Sequence, residues 1–155
     1  MIKKVVSGGQ TGADQAGLRA ARIAGLKTGG FAPKGFKTNS GEAPWLGDLY
    51  GLQESKTSSY SARTRKNVEA ASATILFATV KDSPGTLCTK KWIGKRRYYH
   101  KCVFIDPRKP PSPAKVAKEV SHYNTLNIAG NSEETSPGIY NFVLNYLEQV
   151  FECLL

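Results

Sequence analysis

Ser7-Gly8-Gly9-Gln10-Thr11-Gly12-Ala13-Asp14 follows a short apolar run, Ile2 to Val6, and precedes a stretch with helical spacing, Ala13 to Ala24. Three glycines permit a tight turn and close approach of a ligand to the backbone, and a helix entered this way presents its first N–H groups to an anion. The sequence therefore predicts a phosphate cradle made by Gly8, Gly9, Gln10, Thr11 and Gly12. It is not a Walker A loop, because no Gly-Lys-Ser/Thr follows, and it is not the Gly-x-Gly-x-x-Gly dinucleotide fingerprint. The competing reading is a glycine turn that merely joins strand to helix. Asp14 likewise has two readings, a polar group of the site or an acid that stabilises the dipole in the first helical turn.

Two further turns have the same character. Ser83-Pro84-Gly85-Thr86 lies between an apolar run, Thr74 to Val80, and a helical pattern. Two such turns converge on one crevice if their strands are neighbours, and a crevice at the carboxyl ends of parallel strands is where ligands bind in open α/β sheets. The simpler reading of this turn is Pro-Gly chain reversal with Thr86 as a helix cap. Gly130-Asn131-Ser132-Glu133-Glu134 forms the third exit, where Asn131 and Ser132 either donate to a ligand or cap a helix starting near Pro137.

Tyr60, Arg63, Thr64 and Asn67 recur at three- and four-residue steps, which places Tyr60, Arg63 and Asn67 on one helix face. Arg63 is the strongest candidate for gripping a phosphate, since guanidinium pairs bidentately with oxyanions. Its alternative is a solvated surface role beside Arg65 and Lys66. Lys34 and Lys37, in the turn after Pro33, can add positive charge to the same crevice or lie in solvent. The most basic stretch, Lys90 to Lys101, interleaves Trp92, Tyr98 and Tyr99 with cations. A helix buried on one face explains it better than a nucleic-acid patch does, so nucleic acid is not the expected partner. His100 and His122 stand alone, without acids or cysteines at metal-ligand spacing, and no metal site or nucleophilic triad is expected. Cys88, just past the second turn, can face the crevice.

The elements needed to position these residues follow from hydrophobic patterning. Apolar runs at Ile2–Val6, Thr28–Ala32, Thr74–Val80, His100–Ile105 and Thr125–Ala129 alternate with helical patterns at Ala13–Ala24, Ser61–Ala71, Thr86–Tyr98 and Ser112–His122. In the closing helix, Ile139, Phe142, Val143, Tyr146, Leu147, Val150, Phe151 and Leu154 form one apolar stripe. This is the rhythm of an α/β protein: a doubly wound parallel sheet of about five strands with helices on both faces. The 155 residues predict one domain, with a long inserted loop at about 33–59 that is too aromatic for a linker. Lys and Arg number 22 against 12 Asp and Glu, a net charge of +10 that favours anionic ligands. Three cysteines without a C-x-x-C spacing point to a reducing compartment. With a glycine turn so near the amino terminus and no long apolar run, a cytoplasmic protein is expected.

Ser7-Gly-Gly-Gln-Thr-Gly-Ala-Asp14, Thr28-Gly-Gly-Phe-Ala-Pro-Lys-Gly35, Arg63-Thr64 with Asn67, Ser83-Pro-Gly-Thr86, Leu126-Asn-Ile-Ala-Gly130 and Pro137-Gly-Ile-Tyr140 occur in this order. Together they resemble the molybdenum cofactor carrier protein family over nearly the whole chain. The resemblance implies a Rossmann-like fold of the lysine-decarboxylase-like and DprA-like nucleotide-ligand superfamily. It also implies binding of the molybdenum cofactor, a phosphorylated pterin dithiolene, for storage and delivery to molybdoenzymes, by a homo-oligomer. The chain departs from the family pattern at Gln15, where Arg is usual, and at Asn131-Ser132, where Pro-Arg is frequent. Phosphoribohydrolases of similar fold carry Gly-Thr-x-x-Glu. Here Leu87, Cys88 and Thr89 follow Gly85-Thr86, which disfavours N-glycosidic hydrolysis.

The expectation is a binding protein without catalysis. Gly8, Gly9, Gln10, Thr11 and Gly12 form the first cradle and Gly85 and Thr86 the second. Lys34 and Arg63 supply charge, while Asp14, Thr64, Asn67, Asn131 and Ser132 orient the ligand. The rivals are a sensor of a nucleotide-derived ligand and a nucleotide hydrolase using Asp14 as general base.

Overall fold

The computed structural model describes residues 1–155. In chain order the elements are β1 (Lys4–Val6), α1 (Ala13–Ile23), β2 (Lys27–Gly29), β3 (Phe31–Ala32), a 3-10 turn (Lys34–Phe36), β4 (Lys37–Thr38), β5 (Gly41–Glu42), α2 (Trp45–Tyr50) and β6 (Gln53–Glu54). They continue as α3 (Tyr60–Glu69), β7 (Ala73–Phe77), α4 (Pro84–Gly94), β8 (Lys101–Ile105), α5 (Pro113–Val120), β9 (Thr125–Gly130) and α6 (Ile139–Leu154).

Five strands form one parallel sheet in the order β2-β1-β9-β7-β8. β7 is buried at every residue, as a strand covered on both faces must be. On one face α6 packs between α1 and α5, while α3 and α4 pack against each other. The α6 stripe read from the sequence is the one that meets the core. Ile139, Val143, Tyr146, Leu147, Val150 and Phe151 are buried, and Phe142 and Leu154 pack at its margin. The expected doubly wound α/β architecture is thus the observed one.

Numbered by chain position, the strand order is 2-1-5-3-4. Moving the last strand to the front turns it into 3-2-1-4-5, the arrangement of the Rossmann fold. β9 is therefore topologically the first strand although it is synthesised last. Its carboxyl end, between β1 and β7, is the point where the winding reverses and where a crevice opens.

Short polar residues set the helix starts. Ser59, Ser83 and Ser112 each accept a hydrogen bond from the backbone N–H three residues on, and Pro84 and Pro113 occupy first-turn positions where no N–H is needed. α4 ends at Gly94, short of the Tyr98 boundary expected from the sequence, and β7 stops at Phe77 rather than Val80. The run expected as one strand over 28–32 is two. Gly30 bends the chain at φ 124°, and a Cβ there would strike the Ser7 backbone and reach within 2.9 Å of Asn67 Oδ1.

Residues 33–59, expected as a loop, carry short elements and close a second, small core with Leu18 of α1 and Ala32. β3 pairs with β6, β4 and β5 form a hairpin, and α2 buries Leu46 and Tyr50 against Leu18, Ala32, Ala43 and Leu52, with Phe36 at the edge. No helix is long and apolar enough to cross a membrane.

Candidate functional site

A cavity of about 530 Å³ lies at the carboxyl edge of the sheet, where the exits of β1 and β9 face α3 and the start of α4. β1 and β7 are not neighbours as the convergence of their turns required. β9 runs between them, and its own exit supplies the floor. The β1–α1 turn contributes Gly8, Gln10 and Asp14, α3 contributes Tyr60, Ser61, Arg63, Thr64 and Asn67, and α4 contributes Gly85, Cys88 and Thr89. Asn127, Ala129, Gly130, Asn131 and Ser132 come from β9 and its exit, and Asn39, Ser83, Pro84 and Thr135 complete the wall.

Arg63 is the only Lys or Arg on this wall and Asp14 the only Asp or Glu, so the net charge of +10 resides elsewhere on the molecule. Arg63 Nη1 donates to Asp14 Oδ2 at 3.2 Å, and the two side chains are only 12% and 6% exposed. The guanidinium lies on Gly8, where any Cβ would collide with it. Gly8 is thus required for the approach of Arg63 rather than directly for a ligand. Tyr60 stacks its ring 5.5 Å from the guanidinium carbon, and Arg63 Nε is buried without a protein partner. Asp14 also accepts from the Gln10 N–H at 3.2 Å. Burial holds its carboxyl above the ordinary carboxylate range, and the pull of Arg63 and the Gln10 N–H opposes but does not cancel this.

Several residues expected to form the cradle face away from the cavity. A Cβ on Gly9, whose φ is +77°, would come within 2.8 Å of Leu46 and 2.9 Å of Leu52, so this glycine serves the small core. Gly12 presses on the exit of β9, where a Cβ would meet Asn131 O and Glu133 N at 2.6 Å. The Ala13 N–H donates to Asn131 O, and Thr11 donates its hydroxyl to Glu134 at 2.6 Å. The α1 terminus is therefore occupied largely by protein groups. Lys34 lies in the exposed turn of the insertion and does not line the cavity.

Others lie at the wall but spend their polar atoms on the fold. Asn67 pairs both ways with the Phe31 backbone, at 2.9 and 3.0 Å. Asn131 accepts from the N–H groups of Thr79 and Val80 and donates to Val80 O, Ser83 Oγ and Thr86 Oγ1, binding the β7–α4 loop to β9. Thr86 is 1% exposed, and its hydroxyl meets Ser83 and Asn131 behind the wall. Ser132 caps its own turn through Thr135. The start of α6 is capped by neither Asn131 nor Ser132. Glu133 does this, accepting from Gly138 and Tyr140 at 2.6 and 2.9 Å. A side-chain carboxylate therefore fills the helix terminus that follows the topologically first strand, where a Rossmann fold receives its phosphates.

Asn39 and Asn127 were not anticipated. Asn39 reaches the wall from the β4–β5 hairpin, where its N–H donates to Gln10 Oε1 and its Oδ1 accepts from Gln10 Nε2, and no sequence signal marks it. Asn127 is readable afterwards as the lone amide in an apolar strand, 2% exposed. It donates to Thr74 Oγ1, which is 2.7 Å from His100 Nε2, so a buried polar chain crosses the sheet below the cavity. No three His, Cys, Asp or Glu side chains gather as a metal site.

These features place the wall of the site, one arginine clamped to one buried acid, at the switch point of a circularly rearranged Rossmann sheet. Among solved structures, a protein from Syntrophus aciditrophicus SB described as a "putative molybdenum carrier protein" is 34% identical, with a TM-score of 0.80 over 99% of this chain and 95% of its own. No curated protein matches the chain. The pattern of the circularly permutated YpsA SLOG family matches residues 5–151, and the chain belongs to that family.

Proposed function

We propose that this protein binds a phosphorylated anionic small molecule in the cavity and holds it for delivery without turning it over, with the molybdenum cofactor as cargo. The single observation that carries the reading is Arg63, a nearly buried guanidinium held by one hydrogen bond to Asp14 on a wall that has no other cation. A guanidinium pairs with phosphate through two N–H groups at once. The volume suits a ligand of drug size, and Gln10 and Asn39, bonded to each other at the mouth, and Asn127 in the floor make the wall polar. A metal would come with the ligand's own dithiolene, since the wall offers one sulfur, Cys88, and no metal-ligand cluster. The 34% identity to a protein described as a putative molybdenum carrier supports the choice of cargo.

The test is native mass spectrometry of protein purified without oxygen, followed by denaturation and identification of the released molecule with its metal. A released molybdopterin species is expected. An empty protein that also ignores added molybdenum cofactor would overturn the choice of cargo.

A second reading, a nucleotide hydrolase, draws on Asp14, a cavity carboxyl raised by burial, as acid–base catalysts often are. Against it, α4 brings no carboxylate to the wall and Asp14 is already engaged by Arg63 and Gln10. Turnover of nucleoside monophosphates that disappears in Asp14→Asn would favour this reading over carriage.

A further inference from the structure

The cavity wall carries five amide side chains, Gln10, Asn39, Asn67, Asn127 and Asn131. Gln10 and Asn39 bond each other, Asn67 is spent on the Phe31 backbone, and Asn131 on the loop between β7 and α4. Asn127 alone keeps its side-chain oxygen without a donor: Nδ2 donates to Thr74 Oγ1 at 3.2 Å, and no protein N–H or O–H reaches Oδ1. The residue is 2% exposed, yet Oδ1 is not sealed from solvent, so whatever reaches it comes through the cavity. A carboxamide in the middle of a sheet with one acceptor unmet costs stability, and a group of this kind calls for a partner.

The carboxamide is also held in one orientation. Thr74 Oγ1 accepts the Asn127 proton and has one of its own to give, for which His100 Nε2, 2.7 Å away, is the acceptor. Burial, and after it the charge of Arg96, hold the His100 imidazole below its ordinary range, so a neutral ring with a lone pair to offer faces Thr74 at pH 7. Asn127 thus turns its nitrogen to Thr74 and its oxygen to the cavity. Ala129, two residues on and on the same face of β9, is small, and Gly130 follows, which leaves room beside the oxygen for a planar ring. We propose that Asn127 Oδ1 selects the ligand's ring, accepting a hydrogen bond from a lactam or amino N–H of a heterocycle whose phosphate is held at Arg63. A ring without such a donor leaves the oxygen desolvated and unpaired, and is rejected on that account. Thr74, which does not line the cavity, is a positioning residue. The assignment rests on the reading of Arg63 as a phosphate anchor.

The experiment measures three probes by calorimetry: guanosine monophosphate, whose base has lactam and amino N–H groups, 1-methylinosine monophosphate, whose base has none, and ribose 5-phosphate, which has no base. They are titrated into wild type, Asn127→Ala, Thr74→Val, and Arg63→Ala in an Asp14→Asn background, with a thermal melt of each variant. Wild type should bind guanosine monophosphate about tenfold or more tighter than 1-methylinosine monophosphate. Asn127→Ala should erase that preference while ribose 5-phosphate still binds, and Thr74→Val, which frees the carboxamide to turn, should reduce it without touching the ligand. Equal affinities for the two nucleotides in wild type, with ribose 5-phosphate still dependent on Arg63, would leave the phosphate anchor standing and overturn the selection by Asn127. A preference that survives Asn127→Ala, or ribose 5-phosphate binding lost with it, would overturn the selection as well, the second by making Asn127 a structural residue. Tighter binding of 1-methylinosine monophosphate would mean that the carboxamide presents its nitrogen, against the proposal. Failure of all three probes to bind would overturn anchor and selection together.

Discussion

Arg63, Gly8 and Asp14 work as one unit, and each can be tested through the others. Gly8 does not use a positive φ, so its lack of a side chain matters only for the room it leaves above it. Gly8→Ala in an Asp14→Asn background should displace the guanidinium without leaving an unpaired buried acid, so thermal unfolding should move little from that background while ligand affinity falls roughly tenfold or more. Titration beside a thermal melt checks both halves of that expectation. Asp14 gives a pH signature. Its folded carboxyl titrates above the unfolded value of about 3.9, so folding favours the protonated form. Its contribution is therefore complete below that value and is lost as the pH rises through the folded pKa. Wild type should lose stability relative to Asp14→Asn over that window, which urea unfolding at stepped pH measures. The sequence showed Arg63 as a candidate because guanidinium pairs with oxyanions and the residue shares a helix face with Tyr60 and Asn67, and Asp14 because it closes the glycine-rich turn. That they pair with each other, 49 residues apart, depends on α3 crossing the β1 exit, which no local pattern encodes.

At the scale of elements, the same limit appears in the glycine loop. Gly8, Gly9 and Gly12 read identically in the sequence, yet the structure uses one for Arg63, one for Leu46 and Leu52, and one for the β9 exit. Glycine marks close approach without naming what approaches. The strands and helices were legible because a buried parallel strand and an amphipathic helix write their periodicity into the chain, as the α6 stripe does. The insertion was not, because its strands are two residues long and α2 has six, too short for a period to emerge. The cap of α6 was equally hidden, since Glu133 lies five residues before the Gly138 N–H it accepts from. Glu133→Gln should weaken that helix start by about 1 kcal/mol, seen as a lower urea midpoint at unchanged slope. The cavity lies on the other side of that loop, so ligand affinity should move little.

For the molecule as a whole, strand order 2-1-5-3-4 describes a Rossmann sheet opened at a different place in the chain. α6 leaves the carboxyl edge after β9 and runs back towards the amino edge, where β1 begins, and Phe151 and Ile2 share the main core. A permutant that joins Leu155 to Met1 through a Gly/Ser linker and opens the chain between Ser121 and Asn124 should fold to the same structure. Its circular dichroism should match that of the parent protein, and so should its ligand affinity, because the new opening lies before β9 at the amino edge of the sheet and the cavity at its carboxyl edge. The central claim, that Arg63 anchors a phosphate at this switch point, is tested most directly in an Asp14→Asn background, where loss of the arginine leaves no unpaired buried acid. Affinity for the molybdenum cofactor, with and without its phosphate, is measured for that variant and for the same variant carrying Arg63→Ala. Arg63→Ala is expected to weaken binding of the phosphorylated form by roughly tenfold or more and leave the dephosphorylated form unchanged. Equal binding of both forms, or affinity untouched by the loss of Arg63, would contradict it.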